Sequence, residues 1–155
     1  ENGPICSCGS RGCLEALSGG HAIAQSARMA VKAGRRTQLS SIKPVENITA
    51  IDVATAARLG DLVAQQIMAV AGAHLGIAIA SMVNMANPGM VVVGGGVAQM
   101  GDLLLNPIRL AVQQRSLRPA AQAVRVSSAL LGRRSTAIGA VVQAINLAIN
   151  DLLGK

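Results

Sequence analysis

The chain has 155 residues, one domain's worth, and contains no Phe, Tyr or Trp. It is 51% hydrophobic and 14% charged, so it can bury a core of Ala, Val, Ile, Leu and Met, while the missing aromatics weaken any base-stacking mode for single-stranded nucleic acid. Fourteen Lys and Arg against seven Asp and Glu give a net charge of +7, but Arg35-Arg36 and Arg133-Arg134 are the only adjacent basic pairs, so the charge reads as a solvated surface, not a nucleic-acid stripe.

All three cysteines lie in the first stretch, Cys6, Cys8 and Cys13, spaced C-x-C-x4-C with Gly9 and Gly12 between the last two. Glycine bends let so short a loop aim three sulfurs at one point, as thiolate ligation of zinc requires, and a fourth ligand must come from elsewhere. An odd count argues against a closed disulfide framework, and a Cys6–Cys8 bridge would close a strained ring. Cysteine as a small buried hydrophobe is the remaining alternative. The loop starts at Glu1 with no preceding element, which suggests a fragment.

The apolar spacing from Leu14 to Ala33, broken at Ser18-Gly19-Gly20, predicts a short helix over 14–17 and a second from His21 to Ala33, with Gly34 as its C-terminal stop. Residues 37–47 are polar and proline-containing and read as a loop. Thr49 caps a helix from Ala50 to about Leu59-Gly60. Asp61 caps a long one that ends near Asn84 or Met85, with Leu62, Met68, Leu75, Ile79, Met82 and Val83 inward. Gly72 and Gly76 share a face of it and allow another backbone to come close. Asn87-Pro88-Gly89 ends it.

Met90 to Val93 is a β-branched run without polar alternation, predicted as a strand covered on both faces and ended by Gly94-Gly95-Gly96. A helix from Asp102 to about Gln114 follows, with Leu104, Ile108 and Val112 inward and Pro107 near its first turns. Ala123 to Ser127 is a second short strand, and Ser135 or Thr136 caps a last helix, Ala137 to about Leu152, with Gly139 against the sheet. This order calls for an α/β layer with parallel strands over 16–155, joined to a cysteine knuckle at 1–15. Two strands make a poor independent sheet, a second sign that strands are missing upstream.

Four motifs then coincide in order. Cys6-x-Cys8-Gly9-x-x-Gly12-Cys13-x-Glu15 resembles the zinc knuckle of the ROK family of repressors, uncharacterised frames and sugar kinases. Ala56-Ala57-x-x-Gly60-Asp61-x-x-Ala64 is similar to the start of that family's long helix. Asn87-Pro88-x-x-Val91-Val92-Val93-Gly94-Gly95-Gly96-Val97 resembles its strand and glycine turn, and Leu131-Gly132 with Gly139-Ala140 its closing helix entry. The match runs to about Asn146.

The resemblance implies an α/β fold of the ribonuclease-H-like, actin-like ATPase type, with this chain as the C-terminal part of the second lobe: helix-rich, with few parallel strands and the N-terminal strands missing. It implies Cys6, Cys8 and Cys13 as zinc ligands, completed in the family by a histidine upstream of Cys6 that this chain lacks, so zinc would be lost or incompletely held. His21 and His74 do not match that position and read as exposed or hydrogen-bonded histidines, with His21 an unfavoured substitute ligand. The counterpart of Glu15 accepts hydrogen bonds from sugar hydroxyls; from spacing alone it is a first-turn glutamate facing the helix dipole. Gly94, Gly95 and Gly96 match a turn that approaches nucleotide in the kinases, although a tight strand-to-helix turn also wants glycine.

The family's catalytic aspartate and phosphate loop belong to the first lobe, so this chain alone is expected to be inactive, and ATP with Mg would matter only in a kinase parent. Leu14, where family kinases often carry tryptophan, and Arg133-Arg134 lean towards a regulator. The expected function is then the sensing and dimerising portion of a ROK transcriptional regulator that binds a small sugar or sugar phosphate as a homodimer and reaches DNA through an absent N-terminal domain. The alternative is the C-terminal portion of an ATP-dependent sugar kinase. The most apolar stretch, Leu75 to Met82, is too short to span a bilayer, no secretory signal is visible, and ligand-like cysteines suit a reducing cytoplasm.

Overall fold

In the computed structural model, which describes residues 3–153, helix α1 (Leu14–Ser18) gives way to α2 (Gly20–Lys32) at Gly19. The abrupt start read at Glu1 lies outside those residues. Helix α2 stops as its sequence dictates. Gly34 takes a φ of +70°, its N–H donates to Val31 and the Arg35 N–H donates to Ala30, which satisfies two of the last carbonyls. The predicted loop at 37–47 contains two short 3₁₀ turns, Gln38–Ser41 and Val45–Asn47. Helix α3 (Ala50–Arg58) starts on a reciprocal cap: the Asp52 N–H donates to the Thr49 hydroxyl, and the Thr49 N–H donates to the Asp52 carboxylate.

Asp61 caps α4 (Leu62–Ala86) by accepting from the Ala64 N–H at 2.9 Å. The same carboxylate accepts from the Thr37 hydroxyl at 2.7 Å and the Gln38 N–H at 2.6 Å, which ties the preceding loop to the helix start. These three donors outweigh the burial that would raise its pKa, so Asp61 sits below its ordinary value of 3.8.

Helix α4 is the axis of the core. It is long and apolar enough to cross a membrane by composition, yet α1, α2, α3 and α6 (Asp102–Arg115) all pack on it. Its predicted phase was partly wrong. Met68, Ile79 and Val83 are buried and Leu75 is half-buried, but Leu62 is 78% and Met82 52% exposed. The buried face runs instead through Val63, Ala64, Ile67, Ala71, Gly72, Gly76 and Ala80. A helix apolar nearly all round carries no periodic signal to choose a face, so the choice falls to small residues that admit a neighbour.

Gly72 and Gly76 admit α6 as expected. A Cβ on Gly72 would lie 2.7 Å from the Pro107 ring, and one on Gly76 would lie 2.5 Å from the Ala111 Cβ and 2.8 Å from the Ile108 carbonyl. Leu104, Ile108 and Val112 of α6 are buried as predicted.

Strands β1 (Met90–Val93) and β2 (Arg125–Ser128) pair in parallel, Val91 opposite Val126. Arg109 ties β2 to α6 by donating to the Val126 carbonyl at 3.2 Å. The expectation that β1 is covered on both faces fails: Val91 and Val93 pack towards the core, but Met90 and Val92 are exposed. Among the described residues helices cover one side of the pair, and an unalternating run cannot report how many layers are present.

Two short helices escaped prediction, α5 (Gly95–Ala98) and α7 (Arg118–Ala123). The last helix, α8 (Ser135–Leu152), was found, but without a side-chain cap, and none of its described residues is buried. Gly139 does not meet the sheet, since nothing lies within 4 Å of where its Cβ would be.

Candidate functional site

The knuckle is a miniature hairpin. Ile5 and Arg11 form an antiparallel bridge, the Cys6 N–H donates to Ser10 at 2.8 Å and the Gly12 N–H to Pro4 at 2.9 Å. Gly9 and Gly12 take φ values of +87° and +71°, which only glycine adopts without strain, and these bends gather the thiols. The Sγ atoms of Cys6, Cys8 and Cys13 all lie within 4.8 Å of one another, with Cys8 and Cys13 at 3.6 Å. Sulfurs 2.3 Å from one tetrahedral zinc stand about 3.8 Å apart, close to the Cys8–Cys13 separation, and a trio of thiols leaves its fourth position to another group. Neither His21 nor His74 joins the cluster.

The cluster also shares protons unevenly. The Ser10 backbone N–H, then the Cys13 and Cys6 thiols, lower Cys8 to about 7. Cys13, donating to Cys8, is raised to about 11. The trio therefore holds a thiolate near neutrality, the form that binds a metal.

Cys13 is the N-cap residue of α1, which places Glu15 in the first turn, two residues from a knuckle sulfur. Glu15 opens onto a cleft of about 820 Å³, within the range of small-ligand sites. The cleft is also lined by Gly95 and Gly96, where β1 turns into α5, and by Gln99 and Met100. Gly95 takes a φ of +85°, so the turn needs glycine there. Gly132, Ser135 and Thr136 also line it, with Gly20, His21, Ala50, Ile51, Ala54 and Arg58 from α2 and α3.

Glu15, Gly95 and Gly96, far apart in sequence, are thus brought together. Gly94 is not: it lies behind the turn, where its Cβ would rest 3.8 Å from that of Ala129. Sequence reading missed Arg58, Gln99 and Thr136. Arg58 falls at an unspecified position of the Ala56-to-Ala64 motif, and its guanidinium donates to the Gln99 carbonyl at 3.3 Å, a pairing across 41 residues that no local pattern announces. His21 belongs to the cleft rim, in the first turn of α2.

A helix-rich α/β unit with a thiol knuckle fixed beside a ligand-sized cleft is the class of protein these features define. The sequence model of the ROK family matches residues 1–146, and the chain belongs to that family. It is similar to the glucokinase of Halalkalibacterium halodurans, 35% identical over 140 residues that make up 90% of this chain and 42% of that protein. Among solved structures, a ROK family transcriptional regulator, a homologue of the Escherichia coli MLC protein, superposes with a TM-score of 0.74 at 29% identity, covering 82% of this chain and 31% of that one. A ROK family glucokinase from Streptomyces griseus, solved with glucose and AMPPNP, superposes with a TM-score of 0.72 at 28% identity, covering 86% and 44%. The chain therefore spans less than half the length of these relatives, and its similarities reach both regulators and kinases.

Proposed function

We propose that this chain is the sugar-sensing and dimerising portion of a ROK transcriptional regulator, with Glu15 accepting hydrogen bonds from the hydroxyls of a small sugar. The observation that carries the reading is that Glu15 lines the cleft, two residues from a member of a cluster of three thiols. A carboxylate offers several acceptor sites to vicinal hydroxyls, and an anchored helix start keeps it aimed. Cys6, Cys8 and Cys13 would hold zinc, which when bound stiffens the loop and takes no part in sugar chemistry. The sugar shifts DNA affinity only by binding one arrangement of the whole protein better than another, and the DNA-binding part lies outside this chain. Leu14, in the place where family kinases often carry tryptophan, favours the regulator.

The second reading is an ATP-dependent sugar kinase, favoured by Gly95 and Gly96 lining the same cleft as Glu15. Bare glycine N–H groups at a strand end bind phosphate without side-chain obstruction. Coupled ADP-release measurements on the full-length protein with a panel of aldohexoses separate the two. The regulator reading expects sugar binding by calorimetry without turnover. Sustained turnover on any hexose overturns it in favour of the kinase.

A further inference from the structure

Resting on the assignment of Glu15 to the sugar, we infer that Gly19 is a positioning residue for its carboxylate. Gly19 has φ −67° and ψ 166°, a backbone any residue adopts, so glycine is not needed there for its conformational freedom. Space is what it supplies. A Cβ at this position would come within 2.5 Å of the Glu15 Cδ and 2.6 Å of the Glu15 carbonyl oxygen, and closer still to Oε1. The Glu15 side chain therefore folds back over the bare Cα of Gly19, between the end of α1 and the start of α2.

The same residue holds Glu15 from behind. The Gly19 N–H donates to the Glu15 carbonyl at 2.9 Å, closing the last turn of α1. Ser18, next to it, is buried and donates to the Leu14 carbonyl at 2.7 Å, a bond within α1 that keeps its last turn wound. Gly20, by contrast, would meet only the Ala50 Cβ at an ordinary 3.8 Å. Of the two glycines at this break, Gly19 is the one that a carboxylate occupies. A methyl group there displaces the Glu15 carboxylate from this position.

The test is a double-mutant cycle on the full-length protein, read by calorimetric binding of D-glucose and a panel of aldoses, with thermal melts alongside. Gly19→Ala should weaken binding of the sugar that wild type holds most tightly by tenfold or more. In the Glu15→Gln background the same substitution should add less than a twofold loss, because the group it displaces no longer matters. Equal losses in both backgrounds would mean that Gly19 only supports the helix, and would overturn the inference. Full affinity in Gly19→Ala, with Glu15→Gln impaired, would overturn it while leaving the sugar assignment standing. Unchanged affinity in Glu15→Gln, or no sugar bound by wild type, would remove the assignment and the inference together. Should Gly19→Ala fail to fold, a crystal structure of the wild-type protein with its sugar decides. A sugar-bound carboxylate still seated over the Gly19 Cα supports the role, and one swung clear of Gly19 refutes it.

Discussion

At the scale of single residues, Asp61 joins the most structure with one group. It caps α4 and holds Thr37 and Gln38, so a buried carboxylate is satisfied by three donors. Those donors prefer the ionised form, which places its folded pKa below its ordinary value. The sign follows: a depressed carboxylate contributes stability that is complete above its unfolded pKa and is lost as pH falls through the folded one. Asp61→Asn should therefore melt lower than wild type at pH 7, consistent with a loss of about 1–3 kcal/mol, and the gap should close as pH drops below about 4. Melting curves from pH 3 to 8 check this. A gap that stays constant with pH would mean that ionisation of Asp61 is not what stabilises the cap.

Among the elements, the contrast between two kinds of helix glycine is the sharpest. Gly72 and Gly76 of α4 touch the Pro107 ring, Ala111 and the Ile108 carbonyl of α6, with no room for a methyl group. Gly76→Ala should cost about 1–3 kcal/mol by overpacking, against a small propensity gain. Gly139 of α8 faces open space, so Gly139→Ala should be neutral or stabilise by up to about 1 kcal/mol in this chain. Denaturant unfolding of the pair distinguishes the two, and a stabilised Gly76→Ala would remove the close α4–α6 approach as the reason for glycine.

What was legible in the sequence follows the same division. Caps at Thr49 and Asp61, the stop at Gly34 and the shared face of Gly72 and Gly76 are local chemistry, and all four stand as read. The phase of α4, the open face of β1 and the exposure of α8 depend on which neighbour is present, which an apolar residue does not encode. The cleft is split the same way. Glu15 could be picked out from its knuckle, but its neighbours Arg58 and Thr136 arrive from remote parts of the chain and have no motif of their own.

For the whole molecule, the knuckle and the core are separate stabilities joined at α1. The buried cluster runs from Ile23 to Val126 and contains no residue of the cysteine loop, whose own hydrogen bonds are mostly internal. Parts of a fold with few shared apolar contacts open independently. With zinc in the knuckle as proposed, a chelator acting on the full-length protein should therefore loosen residues 4–13 and the first turn of α1 while leaving the helical core's cooperative melt nearly unchanged. Because Cys13 leads directly into that turn, the loss should be felt at Glu15, with sugar affinity falling about tenfold or more and returning when zinc is added back. Calorimetry with and without chelator measures the affinity, and far-ultraviolet melts follow the core. Unchanged affinity in the metal-free protein would show that α1 holds Glu15 through its contacts with α2 and α4 alone. A core melt that collapses with the metal would instead make zinc a structural requirement of the entire unit, against the division that the buried cluster draws.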